Sequence, residues 1–376
     1  MTGDGLKVAK RRADGVRYSQ DRTRERADHA PNSGGEHFRF SMATNGLRVS
    51  SSVTPSIALS LDNVLNRLGV PSDSIEAYVY NSADIQAMCC MVNVRAAVLS
   101  FSSGLVNLLS PEEFEFVAGH ELGHFLLGHE ARSTNIGSLE YFRQFPAQEI
   151  SADRIGLIGC RSLEAGVRAL IKTGCGLGDE HLRFDVSAYI SQLRDLKTPD
   201  LRRAEMPTHP SMAVRCRALL WFSMHPSAVG DDSGSRNTSL AKLDGLVAKD
   251  LQMFCEQPVL QDVQLTRDDY LLWYAAYTAV EDGRLEKYEQ AALQSLLVDV
   301  DERVKESTGY TYNKLMNLVT GMSAADVLGF VGERLDDARK LLIEKVGSDY
   351  NSIQREIEDR VDACFREYAD SPRSVD

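Results

Sequence analysis

The sequence predicts an α+β domain followed by an all-helical domain. Short β-prone segments lie between residues 75 and 105, and segments with helical spacing of apolar residues flank them. A Gly-, Ser- and Asp-rich stretch at 226–240 indicates a linker. We therefore predict a polar, disordered arm over 1–45, a first domain over 46–225 and a helical domain over 241–376.

Composition limits the classes of protein that this chain can represent. The 376 residues are 43% hydrophobic and carry a net charge of −12, which argues against general nucleic-acid binding. Seven cysteines without a CxxC pair, and a start without a signal-like apolar stretch, predict reduced thiols in the cytoplasm. Apolar runs such as 271–280 are shorter than the ~20 residues that span a bilayer, so we expect no membrane span.

The first domain should begin with a helix and a small set of strands. Residues 55–69 have helical spacing of their leucines and valine, which predicts an amphipathic helix. Residues 75–80, 89–94 and 96–101 are rich in β-prone side chains and predict three short strands.

A second helix follows with a clear start signal. Ser110 is a predicted N-cap, Pro111 fits the first helical position and Glu113 completes a capping box. Gly119 and Gly123 each destabilise a helix by about 1 kcal/mol relative to alanine. We expect them where another segment passes close by. One apolar stripe also carries two histidines: Phe114, Phe116, Val117, His120, His124 and Leu127.

Residues 120–124 read His-Glu-Leu-Gly-His. Histidines four apart on a helix lie about 40° apart around its axis, so His120 and His124 can hold one zinc ion together. Glu121 lies about 100° round from His120, where it can reach a water at the metal. A chance pentapeptide without metal is the alternative interpretation.

Two residues compete for the role of third ligand. His129 lies about 180° from His120 on a continuous helix and misses the ten-residue metzincin offset by one, so we interpret it as a helix-end histidine. Glu149 belongs to a predicted helix over 146–160 and can complete a His₂Glu site. Asp153 shares its face and can accept the free ring N–H of a ligand histidine.

A third segment supplies two more candidates. His209, within Thr208-His209-Pro210, could donate to the oxyanion of a tetrahedral intermediate. Arg215, six residues later, could pair with a carboxylate at the site or help to hold the helix.

Three motifs follow one another along the chain: His-Glu-Leu-Gly-His at 120–124, Glu149 with Asp153, and Thr208-His209-Pro210 with Arg215. In this order they resemble the gluzincin metallopeptidases related to HtpX and the CAAX prenyl endopeptidases. The resemblance covers residues 55–222 and implies a zincin-like fold that hydrolyses peptide or protein substrates with one Zn²⁺ per chain. It implies zinc ligands His120, His124 and Glu149, with Glu121 as general base and acid. It also implies supporting roles for three residues: Asp153 accepts a hydrogen bond from a ligand histidine, His209 stabilises the transition state, and Arg215 is the partner arginine after the His-Pro pair.

The same resemblance implies that residues 96–101 form the edge strand that pairs with a bound peptide, and their apolar, β-prone content fits this role. The substrate contacts would be Ala97, Val98, Leu99 and Ser100. Gln86-Ala87 stands where many relatives carry Asn-Ala. Since we expect no membrane span, a soluble endopeptidase is favoured over a protease of prenylated membrane substrates.

The helical domain carries a second, shorter resemblance. Residues 275–285, with Glu289, resemble the Ala-rich helix and Asp-Gly turn of TerB-like helical domains. This resemblance implies a stress-linked module that binds a protein partner. Alternatively, Asp282-Gly283 simply ends one helix before the next begins. Ser323 predicts the N-cap of a long amphipathic helix.

The sequence thus favours a soluble zinc endopeptidase, and two alternatives remain. One is a zinc-stabilised adaptor that holds peptides without cleaving them. The other is a latent protease held inactive by its own arm or by its C-terminal domain. The arm would then lie on the catalytic cleft, whereas in the simplest case it is a solvated tail.

Overall fold

The computed structural model describes most of the chain, namely residues 2–21, 33–129, 139–195, 211–228, 239–282, 284–297 and 312–370. The chain divides into two compact units, Met1–Ser133 with Arg143–Glu256 and Thr134–Phe142 with Gln257–Asp376. An α+β region followed by a helical region is the architecture that the sequence predicts, and the structure confirms it.

The strands and the helices that position the site belong to residues 2–251. The strands are β1 Leu47–Arg48, β2 Ile75–Tyr80, β3 Ala87–Asn93 and β4 Ala96–Ser102. The helices are α1 Thr2–Asp14, α2 Ser33–Asn45, α3 Pro55–Leu68, α4 Ser103–Leu108, α5 Pro111–Leu127, α6 Leu139–Cys160, α7 Leu163–Cys175, α8 Val186–Asp195, α9 Met212–Phe222 and α10 Leu240–Leu251.

The four strands form one mixed sheet in the order β1-β2-β4-β3. β4 pairs with β2 in parallel, with Ala97 opposite Ile75, and with β3 in antiparallel, with Phe101 opposite Ala87. The expectation that residues 96–101 form an edge strand is therefore wrong. Their continuous apolar run is typical of a strand covered on both faces and paired on both sides.

Helices cover both faces of the sheet. On one face α5 packs against β4, where the rings of Phe101 and Phe114 lie 4.8 Å apart. On the other face α2 covers a small apolar cluster. This cluster comprises Tyr78, Val92 and Val98 of the strands with Phe38 and Met42 of the helix. The sheet thus holds β3 and β4 against the helix that carries both histidines.

The N-terminal segment is folded in its described parts, so the prediction of a disordered arm over 1–45 is wrong there. Leu6, Ala9, Ala13 and Val16 are buried in the main core of the first unit. Their spacing of three and four residues places Leu6, Ala9 and Ala13 on one side of α1, and Val16 follows the end of the helix. Burial of these few apolar side chains stabilises the segment, although most of its other residues are polar.

The boundary between the units differs from the predicted linker. Helix α10 packs on the first unit, where Arg154 Nη2 of α6 lies 2.6 Å from Asp244 Oδ1. The C-terminal part of the second unit starts at Gln257, whereas the sequence predicts a helical domain from residue 241. Within 226–240, residues 226–228 form a short 3₁₀ turn, and 229–238 lie outside the described residues.

The second unit is helical in its described residues. Its helices are α11 Gln257–Val280, α12 Lys287–Leu297, α13 Tyr312–Gly321, α14 Ala324–Val346 and α15 Tyr350–Asp370. Ser323 caps α14 as predicted, by accepting a hydrogen bond from the main-chain N–H of Asp326. Across the part of the chain that the structure describes, no helix combines the length and the apolar content needed to cross a bilayer.

Candidate metal centre

Helix α5 starts and stops where local sequence signals place its ends. The hydroxyl group of Ser110 accepts a hydrogen bond from the main-chain N–H of Glu113, and the main-chain N–H of Ser110 donates to the Glu113 carboxylate. Gly128 ends the helix in the left-handed region at φ +72°, which glycine adopts without strain. The main-chain N–H of His129 then donates to His124 O at 2.9 Å. This cap fixes His129 beside the last turn.

Helices α5 and α6 approach each other closely at the two glycines of the motif. A Cβ atom at Gly119 would lie 3.1 Å from Gly156 Cα, and one at Gly123 would lie 3.0 Å from Ala152 Cα. The expectation that another segment passes close to these glycines is confirmed. The contact brings the face of α6 with Glu149 toward the histidines. The sequence predicts that this helix starts at Pro146, but α6 begins seven residues earlier, at Leu139.

Three side chains of α5 and α6 converge on one point. The Nε2 atoms of His120 and His124 lie 3.1 Å apart, and they lie 3.6 and 3.5 Å from the two carboxylate oxygens of Glu149. Donors of a tetrahedral zinc site, each about 2.0–2.1 Å from the metal, are about 3.4 Å apart. Two imidazole nitrogens and one carboxylate therefore fit a zinc ion in both chemistry and spacing.

An ion-paired carboxylate supports His120 from behind. The Nδ1–H of His120 donates to Asp153 Oδ1 at 2.9 Å, which leaves Nε2 facing the donor cluster. Arg215 of α9 donates to Asp153 through Nε at 2.8 Å and Nη2 at 2.6 Å. Its Nη1 also lies 3.2 Å from Glu149 Oε2. Arg215 thus holds both carboxylates of α6 in place.

Burial and neighbouring charges set the protonation of these groups. Burial lowers the pKa of His124 well below its ordinary value, so the ring is neutral and offers a lone pair. Burial also lowers the pKa of His120, but Asp153 and Glu149 outweigh it and raise this pKa. Burial would raise the pKa of Asp153, and Arg215 reverses this, so Asp153 stays ionised.

Glu121 lies beside the donor cluster and next to strand β3. Burial raises the pKa of its carboxyl group, although the main-chain N–H of Cys89 donates to it and acts in the opposite direction. A carboxylate with a raised pKa next to a metal site suits proton transfer near neutral pH.

A second histidine supports His124. The Nδ1 atoms of His124 and His129 lie 2.9 Å apart, and His129 Nε2 lies 2.8 Å from Asp21 Oδ2. His129 is thus a neighbour of a donor histidine, outside the three-residue donor group. Sequence reasoning missed Asp21 because its segment was expected to be disordered. The apolar spacing from Leu6 to Val16 is the signal that predicts an ordered segment there.

The remaining predicted site residues have different outcomes. His209 lies outside the described residues, so its assigned role stays a prediction. The predicted substrate contacts lie in β4, which has a strand on each side. These residues are Ala97, Val98, Leu99 and Ser100, all of them buried.

Comparison with known proteins finds one family match. Residues 52–147, about a quarter of the chain, match the peptidase family M48. This match supports a zincin-type metallopeptidase, and hence a hydrolase that acts on peptide or protein substrates. No curated protein and no solved structure matches the chain. The matched range includes residues 120–124 but ends before Glu149, so the assignment of this third donor depends on geometry.

Proposed function

We propose that this chain is a zinc-dependent endopeptidase. The observation that carries the proposal is the convergence of His120, His124 and Glu149 on one point, with Glu121 beside them. Three protein donors, with a fourth position left to solvent, are typical of catalytic rather than structural zinc. The match to peptidase family M48 independently supports peptide-bond hydrolysis.

Each residue of the site has a role in this proposal. When bound, zinc lowers the pKa of a water molecule and polarises the carbonyl group of the scissile bond. Glu121 takes a proton from the attacking water and passes it to the leaving amine. Asp153 keeps the proton of His120 on Nδ1, so that Nε2 presents its lone pair to the metal. Arg215 pairs with both Asp153 and Glu149 and so fixes the orientation of their carboxylates.

Strand β3 replaces β4 as the proposed neighbour of the substrate. The sheet order places β3 at an edge, and its Cys89 N–H donates to Glu121. Gln86 O accepts from the main-chain N–H of Ser102 at 2.9 Å, so alternation directs the main-chain groups of Ala87 and Cys89 away from β4. An extended peptide aligned along this edge would present its scissile carbonyl near Glu121.

Glu121→Gln tests the proposal directly. The variant keeps the shape of the side chain and all three metal donors but cannot accept a proton. We expect unchanged zinc content and a loss of casein cleavage of at least about 100-fold. Glu112→Gln is the matched control, because Glu112 is an exposed residue in the first turn of the same helix. Equal cleavage by wild type and Glu121→Gln would contradict the peptidase proposal and favour the non-cleaving adaptor.

The sequence suggests that the N-terminal segment could inhibit the protease, so that its deletion would increase cleavage. The structure leads us to expect the opposite result. Because Leu6, Ala9 and Ala13 are buried in the core, deletion of residues 1–21 should destabilise the first unit and abolish cleavage. Increased cleavage after this deletion would instead support an inhibitory arm. A partner-binding, TerB-like role for residues 275–289 stays a prediction, and Gly283 lies outside the described residues.

A further inference from the structure

A chain of three side chains connects the proposed metal site to the N-terminal segment. His124 Nδ1 lies 2.9 Å from His129 Nδ1, and His129 Nε2 lies 2.8 Å from Asp21 Oδ2. The side chains of His129 and Asp21 are only 2% and 0% exposed. Asp21 precedes His129 by 108 positions, so the tertiary fold alone brings them together.

The direction of these hydrogen bonds follows from the chemistry of His124. A neutral imidazole that binds a metal through Nε2 carries its proton on Nδ1. His124 Nδ1–H therefore donates to His129 Nδ1, which must be an acceptor. The proton of His129 then lies on Nε2, and this N–H donates to the Asp21 carboxylate. A single tautomer of each ring satisfies the whole chain.

We propose that Asp21 and His129 are positioning residues for the metal-binding histidine His124, and that residues 16–21 are a structural part of the metal centre. This inference rests on the proposed function. His120 is oriented directly by the carboxylate of Asp153. His124 is connected to the Asp21 carboxylate through the imidazole of His129. Each of the two metal-binding histidines is thus linked by hydrogen bonds to a carboxylate.

Main-chain contacts hold this segment in a defined position beside α6 and α10. The N–H of Tyr18 donates to Ser151 Oγ at 3.1 Å, and the N–H of Ser19 donates to Asp244 Oδ2 at 3.1 Å. Ser151 lies two residues from Glu149 on α6. The helix that supplies the carboxylate donor therefore also anchors the segment that supplies Asp21.

His129→Leu and His129→Gln separate positioning from simple packing. Leucine leaves the Nδ1–H of His124 without an acceptor, whereas glutamine can accept from His124 through Oε1 and donate to Asp21 through Nε2. By competition with a chromophoric chelator, we expect zinc to bind His129→Leu about 10- to 100-fold more weakly than wild type. His129→Gln should recover most of this loss. His181→Leu, at an exposed position, is the control and should bind like wild type.

Asp21→Asn provides a second test. His129→Leu removes the N–H that donates to the buried Asp21 carboxylate, whereas Asp21→Asn removes that carboxylate and keeps His129. Asparagine still accepts the hydrogen bond but removes the charge, so its zinc affinity should fall between those of wild type and His129→Leu. If His129→Leu does not fold, as judged by circular dichroism, Asp21→Asn decides the question.

Cobalt substitution adds a readout that is sensitive to ligand orientation. The visible absorption bands of Co²⁺-loaded His129→Leu, or of Asp21→Asn, should shift relative to wild type, while those of His181→Leu should not. Unchanged zinc affinity and unchanged bands in both site variants would overturn the inference. Failure of wild type itself to bind zinc would instead contradict the proposed function.

Discussion

Arg215 and Asp153 form a two-point ion pair, in which Nε donates to Oδ2 at 2.8 Å and Nη2 donates to Oδ1 at 2.6 Å. Both side chains are almost fully buried, at 7% and 2% exposure. A planar guanidinium group can make this paired contact, whereas an ammonium group offers only a point charge. The pair links α9 to the face of α6 that carries Glu149.

Arg215→Lys should weaken the metal site without removing its charge. Lysine cannot maintain both hydrogen bonds to Asp153 together with the contact to Glu149, so the carboxylates lose their fixed orientation. We expect zinc affinity to fall about 10- to 100-fold, as measured by chelator competition. Arg217→Lys is the control, because Arg217 lies on the same helix and pairs with Asp250 away from the donor cluster. Equal losses in both variants would contradict a specific role for Arg215.

Gly123→Ala should separate the two helices that supply the metal donors. The new Cβ atom would lie 3.0 Å from Ala152 Cα, a main-chain position that cannot yield without moving α6. Overpacking of this kind destabilises by about 1–3 kcal/mol, more than the roughly 1 kcal/mol that alanine gains over glycine in a helix. We expect a lower free energy of unfolding in urea, together with weaker zinc binding.

Gly245→Ala is the matched control for this prediction. Gly245 lies inside α10, and a Cβ atom there meets nothing within 4 Å. The substitution should raise the free energy of unfolding by about 0.5–1 kcal/mol through helix propensity alone. A stabilising effect of Gly123→Ala would show that α5 and α6 are not in close contact.

Cys89→Pro should impair catalysis through Glu121. Proline removes the main-chain N–H that donates to the Glu121 carboxylate. Because that N–H is directed away from β4, an edge strand can accommodate the substitution. We expect kcat to fall about 10- to 100-fold with little change in zinc content. Cys89→Ala retains the N–H and should keep most of the activity, and an equal loss in both variants would exclude this main-chain contact as the cause.

The second unit offers a prediction about pH. Burial raises the pKa of Asp269 to about 6, against the hydrogen bond from Trp273 Nε1 at 3.0 Å and the charge of Arg334. The folded state therefore binds this proton more tightly than the unfolded state, whose pKa is 3.8. By linkage, the contribution of Asp269 to the stability of the unit falls as pH rises between these two values and is constant above them.

Asp269→Asn should remove this pH-dependent loss, because asparagine is neutral and still accepts from Trp273. At about pH 7 we expect the free energy of unfolding to rise by about 1–3 kcal/mol, and near pH 4 the gain should disappear. Trp273 fluorescence in a Trp221→Phe background reports urea unfolding of this unit. Asp336→Asn, an exposed carboxylate of α14, should change stability by less than about 0.5 kcal/mol. A gain that persists at low pH would contradict the linkage.

Local signals predicted helix α5 and the residues that face α6. Ser110, Pro111 and Glu113 define its start through contacts within one turn, and such contacts depend little on the rest of the fold. The spacing of Glu149 and Asp153 likewise places both on one helix face. Their roles as donor and supporting carboxylate remain proposals, although the structure brings both to the histidines.

Features that depend on tertiary pairing could not be predicted in the same way. Composition marks residues 96–101 as a buried strand, but which strands flank it is decided by the order in which the chain returns to the sheet. The polar composition of residues 1–45 led to a prediction of disorder, although the apolar residues of α1 have helical spacing. The partnership of Asp21 with His129 additionally requires the left-handed cap at Gly128, which turns the chain back beside α5.

X-ray absorption at the zinc edge, on protein loaded with one equivalent of zinc, identifies the donor atoms of the proposed metal centre. We expect nitrogen and oxygen donors alone at about 2.0–2.1 Å, with the multiple scattering of two imidazole rings. Sulfur scattering at about 2.3 Å, or the signal of a single imidazole, would contradict a centre built from His120, His124 and Glu149.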